Sequence, residues 1–130
     1  DRCRVEPCDF TEEAGHVGAR RLLEDGDRPT AIVAVNDLAA VGALAGALEA
    51  GVTVPAELAV TGYDDTFFSA IPQVSLTTVN PDNATIGTTA AERLLDRVGR
   101  TDAEPGVELV PPRLVVRAST SQPPREGTDA

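Results

Sequence analysis

Asp64 and Asp65 stand side by side near the end of LAVTGYDDT, the stretch from Leu58 to Thr66. Two adjacent carboxylates after an apolar run are costly to desolvate unless something pairs with them. The tip of a strand in an open α/β sheet is also where ligands sit. Three chemistries suit the pair: acceptors for a ligand, a cation site for phosphoryl transfer, or a turn with a helix cap. A second run, AIVAVND, ends the same way in Asn36 and Asp37. If both runs are parallel strands, Asn36, Asp37, Asp64 and Asp65 share one rim. Asp37 directly precedes a helical pattern, so an N-cap is its expected role. Asp65 is expected to order its own turn. Asn36 and Asp64 have no such local role, and that points to a ligand.

The enzymatic alternatives lack their remaining parts. A carboxylate pair that holds Mg²⁺ for phosphoryl transfer also needs a phosphate cradle, and the chain has no Lys, no GxGxxG and no P-loop pattern. There is no G-x-S-x-G, and His16, the one histidine, is expected on a helix surface away from the rim. Two cysteines and one histidine cannot assemble a zinc site. The expectation is a protein without catalytic activity, metal or cofactor.

The elements that would position this rim follow from apolar patterning. Thr11 precedes a helix with Ala14, Val17 and Leu22 on its apolar face, ending near Gly26. Ala31–Val35 reads as a strand covered on both faces. A helix from Leu38 to about Ala50 follows, with Gly51 as its C-cap. Leu58–Thr61 and Ser75–Val79 read as strands, and Arg4–Asp9 as a further short one. Asp82 or Asn83 opens a helix with Ile86, Ala90, Leu94 and Val98 at four-residue spacing. Val107–Arg117 reads as two short strands broken by Pro111 and Pro112, after a loop TDAEPG. The polar, Pro-rich stretch 121–130 is expected to be disordered. Strands alternating with helices of this length predict parallel pairing and an α/β fold.

Composition narrows the partners. The 130 residues suffice for one domain with a real core, built from Val, Leu, Ile and Ala because aromatics are 3%. The net charge is −10 and no basic run occurs, which argues against contact with DNA or an anionic membrane. No apolar run reaches the length of a membrane span and no signal peptide pattern is visible. Cys3 and Cys8, in an extended reading, lie roughly 16 Å apart at about 3.3 Å per residue, beyond the reach of a disulfide. Free thiols and a reducing, cytoplasmic compartment are expected. The absence of an initiator Met suggests a piece of a longer protein. The helix LAAVGALAGAL, Leu38 to Leu48, has no polar face. It is either buried within the domain or part of a subunit interface lined by Val41, Leu44, Ala45 and Leu48.

Five stretches, DFTEEAGHVGARRLL, RPTAIVAVNDLAAVGAL, GVTVPAELAVTGYDD, SLTTVNPDNATIGTTAAERLL and PPRLVVRAST, resemble in order and spacing the C-terminal part of lactose/galactose-repressor (LacI/GalR) family transcription regulators. The likeness runs from about Asp9 to Thr120. It implies a Rossmann-like parallel sheet, the C-terminal portion of a type I periplasmic-binding-protein-like domain over residues 1–120. The N-terminal remainder and the DNA-binding headpiece would be absent from this chain. It further implies a small-molecule effector, of sugar type, contacted by Asn36 and Asp64, with Phe10 stacking on it. Where the family often carries Gln-Pro, this chain has Pro81 and Asp82 after Asn80, so Asn80 is the substitute contact. Family members pair through the Leu38–Leu48 helix and the turn near Pro72, which implies a homodimer. Operator DNA would be reached only through the missing headpiece. A solute-binding protein of a sugar transporter shares the fold and is the alternative.

Overall fold

The computed structural model describes residues 3–24, 26–98 and 106–120. Helix α1 spans Glu12–Glu24 and opens on Thr11, whose Oγ1 accepts from Ala14 N at 3.2 Å. Strand β1 is Ala31–Val33, helix α2 Asp37–Glu49 and strand β2 Ala59–Tyr63. A 3₁₀ turn at Phe67–Ala70 leads towards β3, Thr77–Asn80. Helix α3 covers Asn83–Val98 and β4 is Arg113–Val115. The strands lie in the order β1-β2-β3-β4, the first three parallel and β4 antiparallel to β3. The α/β architecture is as the patterning predicts.

The core lies on one face of the sheet. Ile32, Leu58, Val60 and Leu76 pack there against Ala19 and Leu23 of α1 and Ala40, Ala43 and Ala47 of α2. Small residues let these helices come close. A Cβ on Gly15 would collide with the Ala39 carbonyl oxygen, and one on Gly42 with that of Glu12. Backbone therefore meets backbone where α1 crosses α2. His16 sits at this crossing and is half-buried, with Nε2 2.9 Å from Glu49 Oε2, while Arg20 donates to the same oxygen at 3.1 Å.

Two expected strands are not formed. Arg4–Asp9 is outside the sheet; Arg4 Nη2 donates to Leu22 O at 2.8 Å, and Arg21 pairs with Glu6 at 2.8 Å. Strand pattern alone does not make a strand, and no described strand lies beside this segment to complete its ladder. Of the Val107–Arg117 run, only Arg113–Val115 pairs, because Pro111 and Pro112 remove two donors before it. Asp82 caps α3, its Oδ2 accepting from Thr85 Oγ1 at 2.8 Å. The predicted disordered stretch 121–130 and most of the TDAEPG loop lie outside the described residues.

Candidate functional site

Parallel pairing brings the ends of β1, β2 and β3 to one rim, and with them Asn36, Asp64 and Asn80. The local role of Asn36 differs from the expected one. Asn36, not Asp37, is the N-cap of α2: its Oδ1 accepts from Ala39 N at 2.8 Å, with extended backbone as a cap requires. Its Nδ2 donates to Phe10 O at 3.3 Å, tying the start of α2 to the residue just before α1's own cap. Asn36 thus has the local role that the sequence did not reveal.

Asp37 is fully buried instead. Its Oδ2 accepts from Thr66 N at 2.7 Å and Thr66 Oγ1 at 2.9 Å, and its Oδ1 from Thr78 Oγ1. A Cβ on Gly62 would meet Asp37 Oδ1, so the glycine in TGYDD makes room for this carboxylate. Three donors satisfy a charge that burial alone would make costly.

Both carboxylates of the opening motif lie in left-handed backbone, Asp64 at φ 112 and Asp65 at φ 50. Such conformations persist where the surroundings over-determine them. The surroundings here are the contacts of Asp65. Its Oδ1 accepts from Arg117 Nη2 at 2.6 Å and Ser69 Oγ at 3.3 Å, its Oδ2 from Asn80 Nδ2 at 2.7 Å. Burial would raise the Asp65 carboxyl, but the hydrogen bond from Arg117, then Asn80, the Arg117 charge and Ser69 hold it below its ordinary value. The Asp65 carboxylate is held by side chains four to 52 residues away, and its backbone N donates to Thr78 Oγ1 at 3.4 Å.

Asp64 is the contrast. Among the described residues its carboxylate accepts no hydrogen bond, although it is half-buried. Burial first, and the nearby Asp37 charge second, push its carboxyl up. An acceptor held at a rim with its own partners withheld is suited to ligand hydroxyls or amides. Phe10 presents its ring to solvent, 66% exposed. Asn80 is committed at both ends, its Nδ2 to Asp65 and its Oδ1 to Asp82 N at 2.7 Å. Arg117, Thr66, Thr78 and Ser69 were not legible as the partners of Asp37 and Asp65. A charge directly after the apolar run LVV was the one available signal for Arg117. Among the described residues, no group of three or more His, Cys, Asp or Glu side chains could hold a metal ion.

Fold and rim together define a periplasmic binding protein-like α/β domain. The sequence profile of the periplasmic binding protein-like domain family matches residues 2–120. The HTH-type transcriptional repressor PurR of Escherichia fergusonii is 36% identical over 116 residues, 89% of this chain and 34% of its own length. A putative LacI-family regulator from Sanguibacter keddieii superposes with a TM-score of 0.82 at 35% identity, covering 88% of this chain and 43% of that one. The lac repressor dimer bound to operator and the anti-inducer ONPF gives 0.78 at 35% identity, with 87% and 39% covered. A LacI-family regulator from Lactobacillus casei with bound sucrose gives 0.74 at 32%, with 85% and 41% covered. The chain belongs to the periplasmic binding protein-like domain family and matches a fragment of the effector-binding domain of LacI/GalR regulators. It spans about a third of the length of the curated relatives it matches.

Proposed function

We propose that this chain is the effector-sensing and dimerising part of a LacI-family transcriptional regulator, acting in the cytoplasm and without catalytic activity. Its effector is a small molecule of the sugar class. Asp64 accepts hydrogen bonds from effector hydroxyls, the Phe10 ring covers an apolar face of the ligand, and Asn36 and Asn80 complete the contacts. These two use the second amide hydrogen and lone pair that their protein partners leave. The observation that carries this reading is the state of Asp64, half-buried, its carboxyl pushed up by burial and then by the Asp37 charge, and without a hydrogen-bond donor among the described residues. The sucrose-bound Lactobacillus casei relative supports the sugar class. The regulator relatives favour this reading over a transporter's solute-binding protein.

Residues 1–120 act as part of the effector domain, and operator DNA is bound by a headpiece outside this chain. Effector binding favours one arrangement of the domain and so biases the headpieces. Homodimers form through α2, with Val41, Leu44, Ala45 and Leu48, and through Pro72. Leu48, 80% exposed, and the exposed Pro72 support that surface.

The test is a thermal-shift screen of mono- and disaccharides, sucrose first, on the intact regulator and its Asp64→Ala variant. A sugar that stabilises the parent is expected to leave the variant unshifted, with operator binding nearly unchanged. An equal shift in both proteins removes Asp64 from the site.

A further inference from the structure

Asp37 has no exposed surface, so no effector touches it. Its three donors, Thr66 N, Thr66 Oγ1 and Thr78 Oγ1, are all uncharged. Among the described residues no cation pairs with it. A buried carboxylate with neutral partners alone is costly, and its wiring shows what needs one. The hydrogen bonds all run towards it. Asp65 N donates to Thr78 Oγ1 at 3.4 Å, and that hydroxyl donates on to Asp37 Oδ1. Thr66 N and Thr66 Oγ1 donate to Oδ2. Both oxygens must therefore accept. An amide of the same size would turn hydrogens towards one pair of donors.

These bonds fix the turn that follows β2. Asp64 N donates to Val79 O at 2.9 Å, so the neighbouring strand holds the entry to the turn. The next two amides both lead to Asp37, Asp65 N through Thr78 and Thr66 N directly. Asp64 lies between these anchors at φ 112, a conformation that residues with a Cβ keep only when held. With three successive amides tied down, its side chain leaves the turn in one direction. Asp37 also directly follows Asn36, the cap of α2. One buried side chain thus joins the part of the rim built by β1 and α2 to the part built by β2.

We infer that Asp37 is a positioning residue of the effector site: from beneath, it fixes the turn that aims Asp64 at the ligand and ties that turn to Asn36. This rests on the effector reading of Asp64. Asp37 contributes to binding only through Asp64. Its charge acts on the same group, since after burial it is what raises the Asp64 carboxyl.

The test places Asp37→Asn and Thr78→Val in the intact regulator. The first removes the charge and one acceptor. The second removes the hydroxyl between Asp65 N and Asp37 and leaves every charge in place; it carries the test if Asp37→Asn does not fold. Residue-resolved amide exchange should quicken about tenfold at Asp65 in both variants, while Ala34 and Val60 keep the parent's protection. Sucrose binding is then measured by calorimetry with and without Asp64→Asn. Each variant should weaken it about tenfold when Asp64 is present and leave it unchanged on the Asp64→Asn background. Binding falls on acidification as Asp64 takes up a proton. That fall should move to lower pH in Asp37→Asn and stay in place in Thr78→Val, which keeps the Asp37 charge. A residue that only holds the fold would weaken binding equally on both backgrounds, and that result overturns the inference. Unchanged exchange at Asp65 in folded Thr78→Val overturns it too. If Asp64→Asn alone leaves sucrose binding as it was, the effector reading fails instead, and the exchange result decides the turn by itself.

Discussion

Arg117 reaches across the sheet to Asp65, Nη2 to Oδ1 at 2.6 Å, although 52 residues separate them in sequence. The same guanidinium donates to Ser69 Oγ at 3.0 Å and to Leu76 O at 2.8 Å. Both side chains are largely buried, 19% and 12% exposed. Removing one partner of a buried pair strands the other, at a cost of about 3–5 kcal/mol. Arg117→Met is expected to destabilise the fold towards the lower end of that range, because some exposure remains. Arg117→Lys restores the charge but not the fork that serves three acceptors, so it should recover only part. Urea unfolding of both variants measures this; a loss within error of zero would make the pair a bystander.

The same pair sets an acid limit. The Asp65 carboxyl is held below its ordinary 3.8 in the fold, so its contribution is present above that value and lost as pH falls through the lower folded value. In Arg117→Met the lowering from Arg117 is gone while burial still raises the carboxyl. The acid limb of the stability profile should move to higher pH. Unfolding free energies measured by denaturant from pH 2 to 6, the range around that ordinary value, give the comparison, and superimposable limbs would refute the assignment.

Asp64 should show the opposite sign. Burial and the Asp37 charge raise its carboxyl above the ordinary value, so the ionised group opposes folding at neutral pH and the penalty is relieved as pH falls. Asp64→Asn keeps a residue tolerant of positive φ and removes the charge. It is expected to melt at or above the parent's temperature. A hydrogen bond to a charged group is worth about 1.5–3 kcal/mol, so effector affinity should drop roughly ten- to a hundredfold. Calorimetry with the sugar identified by the screen, alongside thermal unfolding, tests both halves. Lower stability with intact affinity would assign Asp64 a structural role only.

Val41→Asp addresses assembly. Val41 is half-buried on α2, and Leu48 on the same helix is exposed. Covering apolar surface stabilises by about 25 cal/mol per Å², and a charge in that interface would lack a partner. The variant of the intact regulator should shift towards monomer in analytical ultracentrifugation, with effector affinity unchanged. A folded, fully dimeric variant would place the interface elsewhere.

Elements set by local periodicity were legible in the sequence, and those set by neighbours were not. The helix expected from Leu38 to Ala50 runs from Asp37 to Glu49, because its apolar run and flanking caps are local signals. The one-residue exchange of roles between Asn36 and Asp37 was hidden, since both types cap well and only three-dimensional reach to Ala39 N separates them. Asp64 stood out because its strand ended without a local use for it. Arg117 did not, because its partners are Asp65, Ser69 and Leu76. Arg4–Asp9 carried a strand pattern whose fulfilment depends on what lies beside it.

The glycine crossing of α1 and α2 has a mechanical side. Where two helices touch through side chains, rotamer changes let them slide; where Gly15 and Gly42 bring backbone against backbone, no such bearing exists. Asn36 also ties Phe10, just ahead of α1, to the first turn of α2. Asn36 at the rim and Glu49, which His16 and Arg20 hold beside Leu48, therefore stand on one closely packed helix pair.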